Sequence, residues 1–360
     1  MSIIGGLDIH RKQITFDWVD HDTGEVGRGR VAPATREVFA SWLAALPAGD
    51  AAFAVEACTG WRFVVEQLVA AGFVAHLAEP ADTASLRGRK RRAKTDRADA
   101  KHLRVLCEQG RLPESWIPPA HVLDLRELVR LRKTLNDQRV RWQQRIHAVL
   151  YHHGVAAPEH GLTSPPAREW LTTLALPDPS QLLIVTGLAQ IDAADVAVDP
   201  IDRWLRVYAR RQPGCRALID KVYGVGPVTG PTVLAEFGDA RRFRNGDAVV
   251  RYTGLDVTVY SSDGKRSPGR LSRQGPQVLR WALFESAKSS ARTTAPDHAY
   301  YDAVRDRLTP NRATLSVARK LARRIRHILA DLGDDALAPV DPTVLPPLLP
   351  QLSSTLSHAA

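Results

Sequence analysis

The sequence predicts an α/β amino-terminal domain, a helical coiled-coil arm and a mainly α-helical carboxy-terminal domain. Three observations carry this prediction. Up to about residue 108, short apolar runs rich in β-branched residues alternate with segments of helical period. From His121 the leucines repeat at mixed three, four and seven spacing among arginines. From Pro213, helical segments are punctuated by Gly-rich turns. The expected divisions are 1–112, 113–212, 213–332 and a Pro/Leu-rich tail at 333–360.

Ile3 to Leu7, Gln13 to Val19 and Gly27 to Val31 read as an antiparallel meander, with Asp22-Thr23-Gly24 turning the second strand into the third. Thr35 to Leu46 is amphipathic and predicts a helix. Ala51 to Val55 predicts a buried strand, Trp61 to Ala71 a helix, and Phe73 to Leu77 a further strand. Meander, helix, strand, helix, strand is the ribonuclease-H order, in which acids from strand one, strand four and a late helix meet.

After the Ile117-Pro118-Pro119 hinge, Leu125, Leu128, Leu131, Leu135, Trp142, Ile146 and Val149 mark one long helix. Arg126, Arg130, Arg132, Lys133, Arg139, Arg141 and Arg145 crowd its other faces, which predicts an arm that also touches nucleic acid. Beyond the break at Pro158 to Pro166, helices at Ala167 to Ala175 and Pro179 to Arg211 are expected to fold back along it. Val222-Tyr223-Gly224-Val225-Gly226-Pro227-Val228-Thr229 has the Gly-x-Gly turn of a helix-hairpin-helix, where Gly224 and Gly226 would let backbone amides approach a phosphate. Arg241 and Arg242 follow as further backbone contacts. Tyr260-Ser261-Ser262-Asp263-Gly264-Lys265 and Gly269-Arg270 read as a loop before a helix from Pro276 to Ala291.

Composition narrows the partners. A net charge of +10 and a pI near 9.8 indicate a polyanion, with nucleic acid as the default. No uninterrupted apolar stretch of about twenty residues and no signal peptide are evident, so no membrane is expected. Cys58, Cys107 and Cys215 are odd in number, far apart and without zinc spacing, which indicates a reduced cytoplasm and no disulfide frame.

Four acids carry the chemistry. Asp8 ends the first apolar run and Glu56 closes Ala51 to Val55, where an unpaired charge is costly to bury and a metal is the natural counter-ion. Asp96 and Asp99 stand three apart on a helix, hence on one face, embedded in the basic segment Arg87 to Arg97. Taken singly, such acids are more often turn, cap or surface residues. Together they could hold two magnesium ions for phosphodiester chemistry. Within the basic segment, Arg89, Lys90, Arg91, Arg92 and Lys94 are expected to contact phosphates.

These motifs in order resemble the DEDD transposases of the insertion-sequence one-ten family. Gly6-Leu7-Asp8, Val55-Glu56-Ala57, Lys94-Thr95-Asp96 and Asp99-Ala100 are similar to its RuvC-like domain. Val225-Gly226, Gly254-Leu255, Tyr260 to Lys265, Gly269 and Ser272 through Arg280 are similar to its transposase domain. The resemblance implies a recombinase of bacterial mobile elements, guided by a bridge RNA, nucleoid-associated and acting as a dimer or tetramer on donor and target DNA. It also implies a serine that joins the four acids in a composite site and attaches covalently to a DNA end. Alignment on Gly254-Leu255 and Tyr260 puts that serine at Ser262, with Ser261 the competitor, and Lys265, Arg266 and Arg270 near enough in sequence to assist. Cys58 stands where the family often has threonine. Two rival readings are a metal-dependent nuclease or Holliday-junction resolvase using water, and a catalytically inert nucleic-acid-binding protein.

Overall fold

The computed structural model describes residues 2–47, 49–86, 95–158, 161–257 and 269–348, together with the backbone of two short strands at 260–262 and 265–267. Arg89, Lys90, Arg91, Arg92 and Lys94 lie outside the described residues, as do the side chains of Ser261, Ser262 and Lys265. The chain divides into two units, 1–117 and 118–360.

The first unit is a five-stranded sheet with helices on both faces. Its elements are β1 (Ile3–Ile9), β2 (Ile14–Asp20), β3 (Val26–Val31), α1 (Arg36–Ala44), β4 (Ala51–Glu56), α2 (Trp61–Ala70), β5 (Val74–Ala78), α3 (Pro80–Ser85) and α4 (Asp96–Glu108). The sheet order is β3-β2-β1-β4-β5. β1 to β3 are antiparallel, whereas β4 and β5 run parallel to β1.

Strand alternation gives the sheet two unlike faces. Leu7, Phe53 and Val55 point into a large core with Ile3, Phe39, Val64 and Leu68, beneath α1 and α2. The opposite face is made of small residues, and there Ala54 and Ala78 pack against Leu103 of α4. Gly6 is the tightest point. A Cβ there would stand 2.1 Å from the Ala100 carbonyl oxygen and 2.6 Å from the Arg104 amide nitrogen, so only glycine admits the helix at this distance. Asp17, 3% exposed on β2, accepts from Arg104 at 2.5 Å and from Arg28 at 2.9 Å, tying α4 to the sheet.

Among its described residues, the second unit is helical apart from one hairpin and an isolated bridge. Its helices are α5 (Ala120–His152), α6 (Pro165–Thr173), α7 (Asp178–Arg211), α8 (Pro213–Lys221), α9 (Thr229–Phe237), α10 (Gly246–Tyr252), α11 (Gln277–Lys288), α12 (His298–Arg305) and α13 (Pro310–Asp331). The strands β6 (Tyr260–Ser262) and β7 (Lys265–Ser267) pair antiparallel before α11. α5 and α7 lie antiparallel. His153 meets Ser180, Ile146 faces Gly187, Arg139 pairs with Asp195 and Arg132 pairs with Asp202, so contacts return every seven residues along α5. α7 is long and apolar enough to cross a membrane by composition, yet Ile184, Leu188 and Ile191 are buried in this packing.

The segment at 118–212 is not separate from the helices after it. One core takes Leu125 and Val129 of α5, Leu205 and Tyr208 of α7, Phe237 of α9 and Leu321 of α13, and it extends to Ala336. Gln212, fully buried, donates to the carbonyls of Ala336 and Ala338, so the first part of the Pro/Leu-rich segment is bonded to this core. The basic side chains of α5 also differ from the sequence expectation. Arg126 donates to the Ala235 carbonyl, Arg130 grips the buried Glu236, Arg132 and Arg139 pair with α7, and Lys133 pairs with Asp137. These five side chains have partners within the unit, while Arg141 and Arg145, the latter over the Trp142 ring, are exposed.

Candidate divalent-metal and nucleic-acid sites

Strand register puts Asp8 and Glu56 on one face of the sheet, while the close group of possible ligands among the described residues is Asp8, His10 and Asp96, without Glu56. β1 and β4 are parallel with Leu7 opposite Val55, so Asp8 and Glu56 end their strands side by side on the face that α4 covers. Thr95 caps α4 by accepting from the Ala98 amide, and Asp96 and Asp99 fall in the first helical turn, where the helix dipole favours negative charge. Asp8 and Asp99 are 4% and 7% exposed. Burial is the main cause that pushes the Asp8 carboxyl above its ordinary value; Asp99 and Asp96 add to it, and His10 opposes them. A carboxylate raised by two neighbouring carboxylates marks a place of excess negative charge.

His10 was not singled out by sequence reasoning. Its Nε2 lies 3.1 Å from Asp8 Oδ2 and 3.4 Å from Asp96 Oδ1, and these three side chains could hold a metal ion. Gln13 donates to the other oxygen of Asp96 at 3.1 Å. The available signal was the Asp-x-His spacing at a strand end, since alternation returns position 10 to the face of position 8. Cys58 borders the same acids. Its thiol is 3.6 Å from the Ile9 carbonyl, and burial, then Glu56 and Asp8, push its pKa up.

A divalent cation fits this set. Carboxylate oxygens are the ligands that magnesium and manganese prefer, and a cation would offset both the burial and the crowding that raise Asp8. Thr15 adds an independent observation. It is register-paired with Asp8 and fully buried, and its Oγ1 has no hydrogen-bond partner. An orphaned hydroxyl at that depth is costly unless something in the site engages it.

The expected phosphate contacts of the second unit divide. Gly224 is left-handed, and a Cβ there would meet the Ser286 carbonyl at 2.2 Å, so its glycine serves packing against α11. Gly226 borders open space, but its amide already donates to Thr229 Oγ1 at 2.9 Å. Arg241 pairs with Asp239 and Asp334, while Arg242 lies over the rings of Phe243 and Tyr252. Arg270 has a different setting. With Arg273, Arg312 and Arg319 it lines a groove of about 850 Å³. The segment carrying Ser262 forms a hairpin where sequence reasoning expects a loop: Ser262 is register-paired with Lys265. Outside the hairpin, Val257 bridges to Leu271 and Ser272 bonds to Asp256.

A five-stranded α/β unit followed by a mostly helical unit fits a DEDD transposase. Residues 5–154 match the DEDD transposase model of the IS110 type, and residues 216–302 match the model described as "Transposase IS116/IS110/IS902 family". The chain is therefore a DNA transposase, and it belongs to the IS116/IS110/IS902 insertion-sequence family. It is 24% identical over 300 residues to a protein of Pseudomonas aeruginosa named "Probable family 20 transposase", covering 81% of this chain and 84% of that one. It is also 24% identical to the transposase for insertion sequence element IS1328 of Yersinia enterocolitica, over 65% of this chain and 69% of that one. The transposase for insertion sequence element IS1111A of Coxiella burnetii is 27% identical over 38% of each chain.

Proposed function

We propose that this transposase cuts and rejoins DNA through magnesium held by Asp8, Glu56, Asp96 and Asp99, with Ser262 as the nucleophile. The observation that carries this reading is the approach of Asp96 and Asp99, at the start of α4, to Asp8, with Glu56 at the end of β4 on the same face of the sheet. Bound there, two divalent cations would ready a nucleophile and stabilise the leaving oxygen. The chain's own residues do the rest. Asp8 and Glu56 present fixed oxygens from strand ends, Asp96 and Asp99 complete the cage, and Gln13 orients Asp96. Arg270 and its neighbours in the arginine groove bind backbone phosphates.

The strand order, with three antiparallel strands followed by two parallel to the first, supports a ribonuclease-H-like reading of the first unit. Seven-residue contacts between α5 and α7 support a coiled-coil reading of that pair. Exposed Leu131, Leu182, Val185 and Val196 along these helices support assembly of more than one copy, as exchange between two duplexes requires. Guidance by a structured RNA is supported by membership of the family.

The test is a covalent trap. Incubation with magnesium, DNA and copurified RNA is expected to give a protein–DNA band that survives denaturation and is destroyed by protease. Ser262→Ala should lose the adduct and the recombinant product together. Asp8→Asn should lose both while nucleic-acid binding persists. Product from Ser262→Ala but not from Ser261→Ala would move the role to Ser261, and wild-type product from both variants would refute the serine role and make water the nucleophile.

A further inference from the structure

Resting on the proposed metal reading, we infer that His10 is a direct ligand of the cation held by Asp8 and Asp96, and that its imidazole tunes this site toward manganese-type ions over magnesium. The geometry has two readings that differ in one proton. If Nε2 carries hydrogen, it can donate well to only one carboxylate, which leaves the other contact weak. If Nε2 is bare, its lone pair and the two carboxylate oxygens form three corners around one point.

The distances suit the second arrangement. An ion with bonds of about 2.1 Å to octahedral ligands places adjacent ligand atoms about 3.0 Å apart. The observed separations of 3.1 Å and 3.4 Å between Nε2 and the two oxygens lie close to that edge length. All three ligand atoms lie within 4.8 Å of one another, so one ion can reach them together. Thr15 points to an occupant independently of the acids. Thr15 is register-paired with Asp8 on the same face of the sheet, and its hydroxyl is fully buried and unpartnered.

Imidazole in place of water changes the preference of the site. Magnesium is a hard ion that keeps oxygen ligands and water, whereas manganese and later first-row ions accept imidazole readily. A site of two carboxylates and one histidine therefore discriminates by ligand chemistry, while carboxylates alone accept both ions. His10 is half-exposed, so an ion can enter from the histidine side without unfolding the helix.

The experiment uses the untagged full-length protein and manganese as the probe. Manganese binding is followed by the loss of the free-ion electron paramagnetic resonance signal, and ligand nitrogen is read by pulsed methods on protein labelled with ¹⁵N-histidine. Wild type is expected to show a directly bonded ¹⁵N coupling. His10→Gln, which keeps a donor toward the carboxylates but no imidazole, should lose that coupling. It should also weaken manganese at least about tenfold, while magnesium, measured by competition, changes less than about twofold. Manganese bound with no histidine coupling, or coupling that persists in His10→Gln, overturns the inference and leaves the carboxylate site standing. Failure of wild type to bind either ion overturns the carboxylate site itself.

Discussion

Gly6→Ala isolates what the close approach of α4 does for the site. The added methyl carbon would stand 2.1 Å from the Ala100 carbonyl oxygen, and both of its nearest atoms belong to the backbone of α4. Non-bonded heavy atoms settle at about 3.5 Å, so the helix must retreat by about 1 Å or more. Side chains cannot absorb the clash by changing rotamer. The retreat carries Asp96 and Asp99 away from Asp8. Overpacking of this kind costs about 1–3 kcal/mol of stability. A displacement of about 1 Å in a reacting constellation costs about a hundredfold in rate. Activity should therefore fall much further than stability.

Gly5→Ala supplies the control within the same strand. Its methyl would press on the Phe53 ring at 2.3 Å, on the opposite face, where a side chain rather than a helix backbone must yield. Both variants should melt earlier than wild type by thermal denaturation. Strand cleavage, normalised to the folded fraction, should be lost in Gly6→Ala and largely kept in Gly5→Ala. Equal cleavage by the two variants would refute the argument that the spacing of α4 from β1 sets the site.

Two further predictions concern the second unit. Burial alone would raise the carboxyl of Asp297, but hydrogen bonds from Lys320 at 2.9 Å and Arg324 at 3.0 Å hold it below its ordinary 3.8. A depressed folded value contributes stability above the unfolded pKa and loses it as pH falls through the folded value, so Asp297→Asn should lower the melting temperature at pH 7, with the gap closing below pH 3.8. An equal gap at pH 7 and in acid would show that these ion pairs do not stabilise the fold. Arg130 donates to both oxygens of Glu236, which is 1% exposed. Arg130→Ala removes both hydrogen bonds to that buried carboxylate and, with Arg130 itself half-exposed, should cost about 1–3 kcal/mol by chemical denaturation, much of it recovered when Glu236→Gln is added. A loss no larger than that of an exposed ion pair would show that Glu236 is satisfied by other groups.

Much of the first unit was legible because its signals are local. Alternation places β1 and β4, a threonine followed by Asp96 marks the start of α4, and a charge closing an apolar run draws attention to Asp8 and Glu56. The face on which α4 lies was not legible, because it depends on the absence of side chains at Gly6 and Ala54 rather than on the presence of any. The basic residues of α5 show a second limit. Their spacing on one helix resembles a nucleic-acid surface, yet Arg132, Arg139 and Arg130 find Asp202, Asp195 and Glu236 on elements at least 56 residues away. Charge on one helix carries no record of such distant partners. Gly224 shows the same limit on a smaller scale, since the Ser286 carbonyl that excludes its side chain is supplied by α11.

The two faces of the sheet divide the labour of the first unit. The face under α1 and α2 is filled by Leu7, Phe53 and Val55, and it supplies the apolar burial on which the fold rests. The other face gives up that burial. Small residues at Gly6, Ala54 and Ala78 bring α4 close, and the Asp17–Arg104 bond fixes it where apolar packing is thin. This closeness brings the acids of α4 to Asp8 of β1, whose carboxyl is raised first by burial and further by these like charges. Repulsion among the acids opposes the docking of α4, while the ion pair on β2 and the missing side chain at Gly6 favour it. A cation among Asp8, His10 and Asp96 would reverse the first of these terms, so metal binding and the seating of α4 are linked through the same few ångströms.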